Sequence, residues 1–226
     1  MENKFNLYDF FGYIIPGGVL GFGLILIFFR IDHIAILVRA LEPYKYLAGF
    51  SLVLISYAIG HVVSFAGYLI LEKFFVGKIV GYPSKNFFDQ DKKKGWFFAG
   101  YRQEYDRNFI KKIYGLYKNT FGTNFTSFDG FMSCFHYVKE NSEPTRERLN
   151  IFLNSYDFCR NMTVSLLILG ITLLIINGIA IGTFLFWLGI NMIFLATIYL
   201  NRYLKFFRQY GDEVFRSFYV LSLQRK

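Results

Sequence analysis

LAGFSLVLISYAIGHVVSFAGYLIL, residues 47–71, decides how the rest of this chain is read: twenty-five residues with no acidic or basic side chain apart from His61. At about 1.5 Å per residue, a helix of this length exceeds the roughly 30 Å hydrocarbon core of a bilayer, so the stretch predicts a membrane-spanning helix. Ser56, Gly60 and Ser64 recur every four residues on it, a face of small side chains that lets another helix approach closely. The span is therefore expected at the centre of a packed bundle.

The remaining apolar runs extend the same reading. Tyr8 to Phe29, opened by Asp9 and closed by Arg30, predicts a first span that holds Pro16 and the GxxxG pair Gly17 and Gly21. The proline removes a backbone hydrogen bond and kinks the helix, while the glycines suit close packing. The preferred reading is a tolerated kink on a packing face; a gating hinge at Pro16 is the alternative. Met162–Ile181 and Phe184–Leu200 predict a third and fourth span joined by a short charge-free link around Gly182, hence an antiparallel hairpin. The whole is expected to be an all-α integral membrane protein: a transmembrane hairpin (1–73, spans about 8–29 and 47–71), a helical domain (74–160), a second hairpin (161–200, spans about 162–181 and 184–200) and a helical extension (201–226).

Composition agrees, since 54% hydrophobic residues with 29 Phe, 17 Tyr and only 4 Pro in 226 positions exclude a single soluble domain. MENKFNLYDFFG lacks a basic n-region, and no small-residue cleavage site ends the apolar run after it, so the first segment is expected to stay in the mature protein. Of the 25 Lys and Arg, 22 lie before the first span, between the second and third, or after the fourth. By the positive-inside rule both termini and the central domain are expected in the cytoplasm. The same rule accounts for the net charge of +9 better than nucleic-acid binding does. Cys134 and Cys159 then lie in a reducing compartment, and two lone thiols make neither a disulfide nor a metal site.

Between the hairpins, Tyr105, Phe109, Ile113, Leu116 and Tyr117 stand at helical spacing, with Arg107, Lys111 and Lys112 opposite, predicting an amphipathic helix over 104–121 that Gly122 stops. A second helix is expected over 128–139 on a stripe of Phe131, Phe135 and Val138, and a third from Ser142 or Glu143 and Pro144 toward the third span. After Leu200, Tyr203, Phe206, Phe207, Tyr210, Val214, Phe215 and Phe218 predict one long helix whose aromatic stripe packs on this domain, with Gly211 its weakest point. A short interfacial helix is expected at IAILVRAL, 34–41.

Chemistry-bearing patterns are few. His61 is the one ionisable group deep in a span, and such residues face a bundle interior or a water-filled cavity by default. With Tyr57 and Ser64 a turn away it reads as a neutral imidazole bonded across helices, or alternatively as a protonation-sensitive group. Asn191, mid-span, is expected to bond across helices or line a pore, and Asn177 to bond across helices. Neither a P-loop nor HExxH occurs, so no enzyme and no cofactor is expected. Ser133 and His136 share a helix face beside Cys134 but lack an orienting acid and an oxyanion element. Arg160 and Asn161 match the Arg-polar opening of the HEPN-domain RNase motif, but no His follows at the required distance. Asn124 and Asn161 open glycosylation patterns on the side expected to be cytoplasmic. The basic aromatic segment FDQDKKKGWFFAGYRQEY, 88–105, is of a kind that stacks unpaired bases, though packing on the domain core is preferred.

YDFFGYIIPGG at 8–18, SYAIGHVVS at 56–64, the Arg160–Asn161 step into the third span and RYLKFFRQY at 202–210 together resemble small bacterial membrane proteins of antiviral loci, in particular the four-span accessory proteins of type VI-B CRISPR systems. The resemblance implies a bacterial inner-membrane protein that, as partner or effector, modulates RNA-guided immunity or disturbs the membrane once infection is sensed; it transfers no catalytic residue. The sequence thus predicts a non-enzymatic, homo-oligomeric defence protein that couples a cytoplasmic signal to the bilayer, by forming a pore in one version. The alternative is a channel or transporter of ordinary physiology with His61 lining the path.

Overall fold

The computed structural model describes residues 10–29, 36, 38–89, 100–126, 129–177 and 182–224, and these carry helices and no strand. The expected start of the first span at Tyr8 and Asp9, Arg30, Ile34, Ala35 and Leu37 of the 34–41 segment, Lys92 to Lys94 and the tip of the second hairpin at 178–181 lie outside the described residues. Four helical stretches are long and apolar enough to cross a membrane, Phe10–Phe28, Val38–Asn86, Glu143–Ile176 and Phe184–Gln224, the pattern of a multi-pass membrane protein. The chain divides into two compact units, Met1–Leu71 with Asp157–Tyr203, and Glu72–Tyr156 with Leu204–Lys226.

In the first unit, a wide turn at Phe10–Ile14 leads into α1, Ile15–Phe28. Helix α2, Lys45–Gly67, crosses it at the small residues: a Cβ on Gly17 would fall 2.0 Å from the Ser56 carbonyl oxygen, and one on Gly60 would fall 2.2 Å from that of Tyr13. Backbone meets backbone there, which only hydrogen in place of a side chain permits. Gly21 lies one turn on, where a Cβ would come 2.8 Å from Ile59 Cδ1. A second crossing of this kind pairs Gly170 with Gly189, each within 3.1 Å of the other's carbonyl oxygen by the same construction. Neither glycine has a small partner four residues away, so no spacing in the sequence marks this crossing. Met162, Leu166 and Ala196 form a buried cluster beside these helices.

The helix of the second span does not stop at Glu72 and Lys73, the charged pair that closes its apolar run. Beyond Gly67 the helix continues through Val80 in wider i→i+5 turns, and two charged side chains at its surface do not end it. It ends at Gly81, whose φ of +87° suits a residue without a Cβ. Asn86 donates to the Val80 and Gly81 carbonyls at 3.3 and 3.2 Å, Tyr101 donates to Gly81 at 3.0 Å, and Arg102 donates to Val80 at 3.2 Å and Ile79 at 2.5 Å. These side chains satisfy the orphan carbonyls of a helix end.

In the second unit, α3, Pro83–Asn86, is one turn long. Helix α4, Arg107–Phe121, is capped by Asp106, which accepts from the Asn108 N–H at 2.9 Å, and stops at left-handed Gly122 (φ +70°). Its Ile110, Ile113, Leu116 and Tyr117 are buried. Helix α5, Asp129–Asn141, buries Cys134 and Val138 fully, with Phe131 and Phe135 half-buried beside them. Helix α6, Glu143–Ile176, begins under Ser142, whose Oγ accepts from the Thr145 N–H at 3.4 Å, and α7 runs unbroken over Phe184–Gln224.

Val214, Phe215 and Phe218 of α7 are fully buried against Phe87, Tyr105, Ile113 and Leu149. Phe87 stacks on Tyr105 at 4.5 Å and meets Phe215 edge-on at 6.1 Å. Tyr105 donates to Asp212 at 2.8 Å, and Arg216 holds both Asp212 oxygens at 2.8 and 2.9 Å. Burial, reinforced by the Asp212 charge, pushes the Tyr105 phenol up, so it stays a donor. Gly211 is where Phe87 seats: a Cβ there would lie 3.0 Å from its ring.

Candidate functional site

The candidate site is a buried polar seam in the first unit, built around what Pro16 cannot do. A proline has no N–H for the carbonyl four residues back, here Gly12, which an uninterrupted α-helix would require. The backbone runs in wide turns at Phe10–Ile14 and resumes α geometry at Ile15, so the helix changes type just before the proline. Asn161, fully buried on α6, donates Nδ2 to the Gly12 carbonyl at 2.8 Å, replacing the missing bond. One turn on, Ser165 Oγ, also fully buried, donates to the Pro16 carbonyl at 2.9 Å. Both sides of the expected hinge are thus held by side chains of one helix.

Arg160 extends the seam. Its Nη2 lies 3.0 Å from Asp157 Oδ1 and donates to Ser64 Oγ at 3.0 Å, and its Nε lies 3.3 Å from Asn161 Oδ1. Both charged side chains are about nine-tenths buried, at 9% and 11% exposure. Gly67 makes the room, since a Cβ there would meet Arg160 Cγ and Nε at 3.2 Å and Asn161 Oδ1 at 3.3 Å. A buried ion pair gains little net stability against apolar residues of the same volume, because desolvation offsets attraction. Thr163, fully buried, bonds back to the Cys159 carbonyl at 2.7 Å within its own helix.

The residues singled out in the sequence separate into two groups. Pro16, Gly17, Ser56, Gly60 and Ser64 converge at the crossing of α1 and α2 and along the seam, with Gly21 at its edge. His61, by contrast, points out of the unit and is exposed. It stacks on Tyr13 at 4.3 Å and meets Tyr57 edge-on at 4.6 Å. The expected cross-helix hydrogen bond is replaced by ring contacts, because the inward positions of that turn go to Gly60 and Ser64. Asn191 donates to the Trp187 carbonyl of its own helix at 2.9 Å and is exposed, so it bonds along the helix and not across it. Asn177 accepts from Thr183 at 2.9 Å across the hairpin link.

Asn161 was missed as a seam residue because its sequence context matches the HEPN and glycosylation patterns first, and Ser165 belongs to no motif. A signal existed: an intramembrane proline leaves a carbonyl that some polar side chain must meet, and Asn161, Thr163 and Ser165 are the polar residues entering the third span. Ser133 is an acceptor for the Tyr117 hydroxyl at 3.2 Å, and His136 packs on Phe135 at 5.4 Å. Among the described residues no group of three or more His, Cys, Asp or Glu converges to hold a metal. Comparison with known proteins returns no family model, no curated sequence and no solved structure that matches this chain.

Proposed function

We propose that this chain is a non-enzymatic membrane protein that couples a cytoplasmic protein partner or signal to its bilayer-embedded helices, working as a homo-oligomer. The observation that carries the reading is the continuity of α6 and α7, which supply residues to both compact units without a break in either helix. A load applied to the aromatic core at Val214, Phe215 and Phe218 is carried along a backbone hydrogen-bond ladder to the apolar part of the same helix. On α6 that ladder leads to Asp157, Arg160, Asn161 and Ser165, the side chains that hold the break at Pro16. A two-state element biased from a distance is what a transducer needs.

The likeness of its short motifs to membrane proteins of antiviral loci supports prokaryotic defence as the setting, and the distribution of Lys and Arg supports both termini inside a bacterial inner membrane, with pore formation as one mode of action. The lipid bilayer and a protein are the partners, and nucleic acid is not favoured. A path lined by His61, the channel reading, would have to lie between copies, because His61 is exposed on the single chain. The test is mass measurement of the purified protein by light scattering, together with membrane potential in cells expressing it with its neighbouring genes. An oligomer and a loss of potential on induction are expected. A monomer that leaves potential and growth unchanged refutes the proposal.

A further inference from the structure

The second unit holds a cavity of 430 Å³ whose walls are the rings of Tyr82, Phe131, Phe207 and Tyr210 and whose charged groups are Glu72 and Lys85. The volume falls within the roughly 300–1,000 Å³ of small-molecule sites. The rings come in two pairs, Tyr82 edge-on to Phe207 at 6.4 Å and Phe131 tilted against Tyr210 at 6.2 Å. Glu72 is oriented by the Tyr156 hydroxyl, which donates to it, and Tyr156 itself packs on Phe207 at 4.9 Å. Lys85 is exposed, at the rim.

Each simpler guest meets one of these groups unfavourably. A hydrocarbon guest would strip water from the Glu72 carboxylate and itself offer it no polar group. An anion would face Glu72, and a plain cation would face Lys85. The ring faces carry negative potential and attract an organic cation, most strongly where a carboxylate adjoins them. We propose that this cavity binds a small zwitterion of the phosphocholine type, its quaternary ammonium among the four rings beside Glu72 and its phosphate toward Lys85. Such a group is carried by a phospholipid headgroup or by the free molecule, and the site chemistry is the same for both.

The test is equilibrium dialysis of the full chain in a maltoside detergent, which carries no choline, against labelled phosphocholine, tetramethylammonium and inorganic phosphate. Saturable uptake of one phosphocholine per chain is expected, with Glu72→Gln and Phe207→Leu each weakening it about tenfold. Lys85→Ala should weaken phosphocholine and leave tetramethylammonium no weaker, or tighter, for loss of the like charge. Met132→Trp, which fills the cavity from its wall, should abolish uptake and keeps the test decisive if Glu72→Gln does not fold. In nanodiscs, lower uptake of free phosphocholine in phosphatidylcholine than in phosphatidylglycerol assigns the site to the lipid headgroup; equal uptake assigns it to the free molecule. Absence of saturable uptake, uptake unaltered by Phe207→Leu and Met132→Trp, or phosphate binding as well as phosphocholine would overturn the proposal.

Discussion

Gly60→Ala adds one methyl group, and the structure puts it where the backbone of the neighbouring segment already is. The new carbon would stand 2.2 Å from the Tyr13 oxygen, 2.6 Å from its carbonyl carbon and 2.8 Å from its Cα. That is about 1.2 Å short of an ordinary 3.4 Å contact, and every obstructing atom is main chain, so no rotamer change relieves it. The segments must separate by about that much, at an overpacking cost of about 2–3 kcal/mol. Gly17→Ala faces the same problem from the other side, 2.0 Å from the Ser56 oxygen and 2.4 Å from the Gly60 nitrogen. Because one separation accommodates both methyls, the double variant should cost about 3 kcal/mol, not the sum of the two singles. Gly49→Ala on the same helix α2 meets nothing within 4 Å and should be neutral or stabilising by up to about 1 kcal/mol. The assay is equilibrium unfolding of the reconstituted protein in mixed micelles, titrated with denaturing detergent and followed by steric trapping. Gly60→Ala and Gly17→Ala within about 0.5 kcal/mol of Gly49→Ala, or strictly additive with each other, would refute the backbone contact between α1 and α2.

Asn161→Ala should cost about 1–3 kcal/mol by leaving the Gly12 carbonyl without its donor; Pro16→Ala, which restores a backbone N–H, should offset part of that loss in a double-mutant cycle, and full additivity would count against the pairing. Arg160→Met should cost about 3–5 kcal/mol by stranding Asp157, whereas Arg160→Met with Asp157→Leu should recover most of it, measured by the same unfolding titration. Burial pushes the Cys134 thiol up to about 12 from its ordinary 9.0, so the folded state favours the neutral thiol. That contribution is whole below pH 9 and is lost as pH rises from 9 toward 12. At pH 8, in a Cys159→Ser background, maleimide should modify Cys134 no faster than the protein unfolds, and fast labelling would show the core to be open. Lys118 is exposed on α4, so Lys118→Cys should react with an impermeant thiol reagent only after cells are permeabilised; reaction in intact cells reverses the orientation.

Sequence alone determined whatever depends on local composition and period. Runs of apolar residues too long for a soluble core mark four helices, the 3.6-residue pattern of Ile113, Leu116 and Tyr117 marks a buried face on α4, and Gly122 marks its end, because each of these is a property of neighbours in the chain. Small residues four apart at Ser56 and Gly60 also announced a close approach. What they approach was decided only in three dimensions, where Gly17 and Tyr13 come to lie against them. The same holds for His61, whose direction is set by which flank of α2 the α1 segment occupies. It holds most of all for Asn161, whose amide meets a carbonyl 149 residues away. A proline announces that a hydrogen bond is missing, but no local rule says which residue supplies it, since that bond exists only once packing has brought two distant helices together and excluded the water that would otherwise serve.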